Sequence, residues 1–200
     1  SRAALKQEPT RVRFTAAYDV INGAIHWIKP ESRNNTIEEV ALCNFDARIT
    51  QYITRDDGQE LKLFYVLEGS LSPNVPLPRI EIPANEYKGL GWVYNKWPGA
   101  IIAASQNSEA RLREAIQGHS HASFRTVYTH TGWREIDGEM YFLHGAGALG
   151  RDDIEVELET ALKQYQLLPP VSDPREAIRN SFDYIMTAPL ECSLPLLVSM

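Results

Sequence analysis

The sequence predicts an α+β fold in which antiparallel β-hairpins form one or two sheets and helices pack against them, ending in a helical segment. Three observations predict it. Strand-like runs crowd the first half and helical runs gather late. The dipeptides Asn22-Gly23, Asp57-Gly58 and Asp137-Gly138, which favour the left-handed geometry of tight turns, sit between strand-like runs. The order of runs lacks the regular strand–helix alternation of a doubly wound sheet.

Residues 12–15 and 24–28 are short and rich in β-branched or aromatic side chains, so they read as a hairpin about Asn22-Gly23. Residues 37–43 alternate weakly. Residues 47–55 alternate clearly, with Ile49 and Ile53 interleaved with Thr50 and Tyr52. Asp57-Gly58 then turns the chain into 60–67, where Leu61, Leu63, Tyr65 and Leu67 share one face. The four prolines between 70 and 83 mark a loop with one edge strand at 79–82, because proline cannot donate to a ladder.

Residues 84–91 read as a short helix closed by Gly91, followed by the aromatics Trp92, Tyr94 and Trp97. Residues 100–105 form a small apolar run typical of a buried strand. Asn107 or Ser108 caps the next helix, with Ala110, Leu112, Ala115 and Ile116 covering part of one face, a Glu109–Arg113 pair and a stop at Gly118. Strand-like 124–130 precedes a second hairpin, 133–136 with 140–143. Residues 154–158 read as a short strand leading into a helix that ends at Pro169-Pro170. Ser172 or Asp173 then caps a helix with Pro174 in first position and Ala177, Ile178, Phe182 and Ile185 inward, running to Ala188. The division expected is an α+β unit over 1–170 and a helical segment over 171–200.

Composition bounds the function. The chain of 200 residues carries 26 acidic and 20 basic side chains, a net charge of −6, and the basic ones are scattered. That surface argues against a stand-alone binder of phosphate backbone. No apolar run reaches the ~18 residues that span a bilayer, and the first ten residues lack a signal-peptide core, so a cytoplasmic protein without membrane partners is expected. Cys43 and Cys192 are far apart, which excludes a disulfide framework or a cysteine zinc site. The opening on Ser1 and the apolar 194–200 suggest a piece of a longer polypeptide.

The glycine series Gly145, Gly147 and Gly150 spells G-x-G-x-x-G after a strand. A dinucleotide site is not expected from it. Its strand belongs to a hairpin, acids at 152, 153 and 155 would stand beside a phosphate, and no ribose-binding acid follows a second strand. His119, His121, His130 and His144 are close in sequence, and His130 and His144 could face each other across a hairpin to hold a metal or exchange protons. There is no H-E-x-x-H, and no nucleophile elbow. Fourteen arginines with Trp92, Tyr94, Trp97 and Trp133 would suit a single-strand groove.

One stretch is more specific. Thr129-His130-Thr131-Gly132-Trp133-Arg134, then Asp137-Gly138, then Tyr141-Phe142-Leu143-His144-Gly145-Ala146-Gly147-Ala148-Leu149-Gly150 resembles the signature of domain of unknown function 927. The likeness extends over most of 37–200, through 44–49, 92–97, 100–105 and 112–117. The resemblance implies a bacterial, phage or plasmid setting, in the N-terminal region of helicase-like replication ATPases of mobile elements. The partners it implies are a P-loop ATPase domain of the same polypeptide, identical subunits, and DNA through the parent protein. No G-x-x-x-x-G-K-[ST] occurs here, so this piece is expected to be neither an enzyme nor the holder of a cofactor, and ATP hydrolysis falls to the parent. The family supplies no catalytic residues. The candidate functional surface is therefore the strip His130, Gly132, Trp133, Arg134, His144, Gly145, Gly147 and Gly150, where polar, aromatic and permissive residues coincide. A single-stranded nucleic-acid module and a small histidine-site metal protein or enzyme are the alternatives.

Overall fold

The computed structural model describes residues 17–30, 37–164, 166–167, 174–185 and 189. They form an α+β fold. Strands β1 (Ala17–Ile21) and β2 (Ala24–Pro30) pair about Asn22 and Gly23, whose φ angles are 53° and 77°. The turn falls as expected, but the arm before it is 17–21; residues 12–15 lie outside the described residues. Strand β3 (Ile37–Ala41) adds to the far side of β2.

The long hairpin of β4 (Phe45–Asp56) and β5 (Leu61–Leu71) is the spine of the molecule. Its register shifts between Ile49 and Gln51, so Thr50 is an extra residue. Side chains alternate along a strand, and one inserted residue exchanges the faces beyond it. Ile49 therefore joins the main core with Phe45 and Ala47, whereas Ile53 faces the other way with Val66 and Val127. The clean alternation expected for 47–55 is broken at that point. Tyr52, not Ile53, continues the packed face.

Strands β6 (Val75–Pro76) and β7 (Ile80–Pro83) lie along the outer edge of β5, where proline costs no ladder bond. The expected helix over 84–91 is two helices, α1 (Ala84–Tyr87) and α2 (Gly91–Lys96). Leu90, at φ 51° and 1% exposed, makes the corner, so Gly91 opens the second helix rather than closing the first. Residues 100–105 form no strand and make one bridge, Ile102 to Cys43. Asn44 takes the place of a neighbouring backbone, with Nδ2 donating to Gly99 O at 3.0 Å and Oδ1 accepting from Ile101 N at 2.7 Å.

Helix α3 (Ser108–His119) buries Leu112, Ala115 and Ile116 against the sheet, and runs one residue past Gly118. Arg113 donates to the Lys88 carbonyl at 2.8 Å instead of pairing with Glu109. The chain then crosses to β8 (Ser123–Tyr128), which lies parallel to β4. Strands β9 (Gly132–Ile136), β10 (Glu139–His144) and β11 (Gly147–Leu149) make a separate meander, and β12 (Glu155–Val156) adds parallel to β8. The main sheet reads β12-β8-β4-β5-β6, with β7 also on β5.

The helix expected after 158 is absent from the described residues up to 167. Ile154 and Leu158 are buried with period two, and Glu157 N donates to Tyr128 O, so pairing with β8 takes the segment that a helix would need. Helix α4 (Pro174–Ile185) starts where expected. Ile178 and Phe182 are exposed rather than inward; the side chains of Ala177 and Ile185 lie outside the described residues, as do 186–188.

The main core is an aromatic-rich cluster between the sheet and α1–α3. Trp97 packs edge-on against Phe45 at 5.5 Å and Trp92 at 5.0 Å, and its Nε1 donates to Pro78 O at 2.8 Å. Gly69 makes this possible. A Cβ there would stand 2.4 Å from Asp46 O and 3.0 Å from the Trp97 ring.

Candidate functional site: the meander and its anchorage

The eight strip residues all fall on or beside the meander of β9–β11, but they do not converge. Arg134 of β9 reaches back to the main sheet, where its Nη2 donates to Asp56 Oδ2 at 2.6 Å. The Asp56 residue is 4% exposed and its other oxygen accepts from Gly58 N at 2.8 Å. The Asp56 carbonyl in turn accepts from the Thr129 backbone at 2.8 Å. Every oxygen of Asp56 is thus used at the junction between the two sheets, as a buried charge requires.

His130 follows β8 and packs on the β4–β5 turn. A Cβ added to Gly58, which sits at φ 88°, would meet the His130 ring at 3.3 Å. The turn glycine therefore serves two purposes, a left-handed backbone and room for an imidazole. His130 Nδ1 lies 3.2 Å from Thr131 O, and its ring meets Tyr128 edge-on at 6.3 Å.

His144 ends β10 and turns elsewhere. Its Nδ1 accepts from Ala146 N at 3.2 Å and Leu167 N at 3.4 Å. An Nδ1 with two incoming donors is oriented to hold backbone, not to meet His130. Leu143 pairs with Gly132, so His144 sits at the end of the ladder, and the two histidines anchor separate segments. Among the described residues no group of three or more His, Cys, Asp or Glu side chains could hold a metal ion.

The glycine series is a turn between strands. Gly145 and Ala146 make the corner, Gly147 at φ 132° pairs with His144, and Gly150 at φ 88° lets the chain leave β11. No helix follows, so the backbone amides are not presented as a phosphate cradle. Beyond Gly150, Arg151 holds Asp153 at 2.7 Å and Asp137 at 2.8 Å, tying the β9–β10 turn to the exit of the meander. Gly132, at φ 107°, opens β9 into free space, and Trp133 beside it is 66% exposed and edge-on to Phe142 at 5.4 Å.

Reasoning from sequence missed Asp56, Gly58 as a seat for His130, and Arg151. Asp56 stands next to the turn dipeptide Asp57-Gly58, where an acid looks like ordinary turn chemistry. Only a partner 78 residues away makes it different. Of the aromatics considered for stacking, Trp92 and Trp97 are 3% and 1% exposed, leaving Tyr94 and Trp133 at the surface.

A groove of about 1000 Å3 opens at the C-terminal ends of the parallel strands β4, β8 and β12. Arg55, Lys62 and Lys163 line it opposite Asp57, Glu157 and Glu159. Arg55 is bound to Glu81 at 3.0 Å and Glu157 at 3.5 Å, and Lys62 to Asp57 at 3.5 Å. Charges matched in this way do not focus a field on an anion.

A scan of family models gives no match, and searches of curated proteins and of solved structures return no significant similarity. No described helix is long and apolar enough to cross a membrane.

Proposed function

We propose that this chain is a non-catalytic accessory module of a helicase-type replication ATPase, acting through contacts that position the ATPase or its subunits. The observation that carries the reading is the use made of its most specific stretch. Residues 129–150 resemble the signature of domain of unknown function 927, and three of their polar members are engaged in holding the module together: Arg134 on Asp56, His130 packed against Gly58, and His144 on the backbone of 146 and 167. A motif spent on anchorage suits a rigid adaptor better than a reaction centre. The parent then supplies phosphate binding and hydrolysis, and any DNA contact passes through it.

Reading the coding sequence beyond Met200 tests this directly. A Walker A motif in the stretch that follows is the expected result. A stop codon at that point, or a long continuation without a phosphate-binding loop, overturns it.

A further inference from the structure

The aromatic side chains of the main core form a continuous column. Trp97 meets Trp92 edge-on at 5.0 Å, Trp92 stacks on Tyr87 at 6.1 Å, Tyr87 meets Tyr65 at 5.1 Å and Tyr65 meets Tyr52 at 5.0 Å. Phe45 closes the inner end against Trp97 and Phe124 the outer end against Tyr52, at 5.5 Å and 5.2 Å. The column runs outward. Trp97, Trp92 and Tyr87 are 1%, 3% and 4% exposed, whereas Tyr65 and Tyr52 are half-buried and Phe124 stands at the surface. The contacts themselves are those of any aromatic core. The chemistry differs, because every ring between the two phenylalanines is an indole or a phenol, which a one-electron oxidant oxidises, and neighbouring rings exchange an electron by tunnelling.

Proton acceptors grade the column in the same direction. An oxidised indole or phenol is a strong acid, and it comes to rest where its proton can leave. Trp97 Nε1 donates to Pro78 O at 2.8 Å, Trp92 Nε1 to Tyr87 O at 3.4 Å, and the Tyr87 hydroxyl to Arg113 O at 3.1 Å. A backbone carbonyl accepts a hydrogen bond but does not take the proton. Oxidation of any of these three therefore leaves a positive charge in the core, away from water, which is costly. The Tyr65 and Tyr52 hydroxyls have no protein acceptor among the described residues and are not sealed from solvent, so water receives their protons.

We propose that this column is a relay that carries an oxidising equivalent out of the core to Tyr65 and Tyr52. When a one-electron oxidant takes an electron from Trp97 or Trp92, an electron passes inward from Tyr65 across the Tyr87 ring and refills the indole. Tyr87 is the bridge and not the resting place, because a carbonyl holds its hydroxyl. The Tyr65 O–H bond breaks, the proton goes to water, and a neutral phenoxyl radical remains there or, after the same exchange with Tyr52, on the outer ring. A soluble thiol or ascorbate then returns a hydrogen atom and restores the phenol. The buried indoles are spared. The inference stands on the column alone and does not rest on the proposed function.

Laser photoionisation of tryptophan, with dissolved oxygen taking up the ejected electron as superoxide, tests the relay by transient absorption. In a background of Trp27→Phe with Trp133→Phe, only Trp92 and Trp97 carry indole. The tryptophan-radical band decays within microseconds while the phenoxyl band rises. Tyr52→Phe together with Tyr65→Phe keeps every ring, yet lowers the phenoxyl yield by an order of magnitude or more and leaves a long-lived tryptophan radical. Tyr87→Phe keeps the bridging ring and leaves the yield unchanged. Near-ultraviolet circular dichroism checks that each variant is native, and the same changes made in the chain with all its tryptophans give the same ordering, so a background that fails to fold does not end the test. A tryptophan radical that persists while Tyr52, Tyr65 and Tyr87 are intact overturns the proposal. A phenoxyl yield that survives the double change, as it would with the exposed Tyr94 of α2 as acceptor, overturns it too. Loss of the phenoxyl in Tyr87→Phe would put the radical inside the core and overturns it as well.

Discussion

Asp56 and Arg134 hold the greatest energetic leverage of any pair of side chains at the junction of the two sheets. The Asp56 carboxylate is 5% exposed and Arg134 35%, so removing the guanidinium leaves a charge stranded away from water. Arg134→Met should cost ~3 kcal/mol in urea denaturation, and the double change Asp56→Leu with Arg134→Met should recover most of that loss, since an apolar pair leaves no charge unpaired. Two other buried groups report on the same packing. Burial pushes the Cys43 thiol up to about 11, and its Sγ donates to Phe45 O at 3.0 Å. In a Cys192→Ser background, Cys43 should react with a thiol reagent at about pH 8 only as fast as the protein unfolds, because the thiolate is the nucleophile. Burial also pushes the Tyr87 phenol well above its ordinary 10.0. A raised value in the fold means the protonated form is favoured there. Its contribution to stability is complete below the unfolded value and is lost as pH rises through the folded one. An alkaline titration followed by phenolate absorbance should therefore find Tyr87 ionising together with unfolding. Ionisation near the ordinary value in a native protein would contradict the packing described.

Elements whose determinants are local were legible in the sequence. The turns at Asn22-Gly23 and Asp137-Gly138 put Asn22, Gly23, Asp137 and Gly138 at positive φ, and Pro174 stands first in α4, the helical position that suits proline. Elements decided by distant partners were not. The extra residue at Thr50 shows only against β5, and it sends Ile53 to the second face although its spacing from Ile49 looks regular. The run 100–105 has a strand's composition, but it pairs with the backbone of residues 42–44 only as a single bridge, and the Asn44 side chain takes the Ile101 N–H. Of the candidate site, the location of the meander was legible, whereas its anchor at Asp56 was not. Gly69 carries an element-scale prediction. It sits where β4 and β5 close over Trp97, and Gly69→Ala places a methyl 2.4 Å from a backbone oxygen that the ladder holds in place. Overpacking of that kind should destabilise by ~2 kcal/mol, read as a lower denaturation midpoint with an unchanged slope. Gly132→Ala meets no atom within 4 Å, so its cost should come from φ 107° alone and be smaller.

At the scale of the whole molecule the net charge is −6, and among the described residues Arg55, Arg125, Arg134 and Arg151 are paired with carboxylates. Labelled single- and double-stranded DNA should accordingly show no salt-sensitive binding to this chain by itself, in a fluorescence titration at low ionic strength. Arg134 of the meander turns inward to the main sheet, whereas Glu135, Asp137 and Glu139 are exposed. ATP hydrolysis measured on the 200-residue chain and on the product of its full coding sequence decides the matter most directly. Turnover by a longer coding product that carries a phosphate-binding loop, and none by the chain, is the expected result. Turnover by the chain, abolished by changing a residue of the 129–150 stretch, would contradict it.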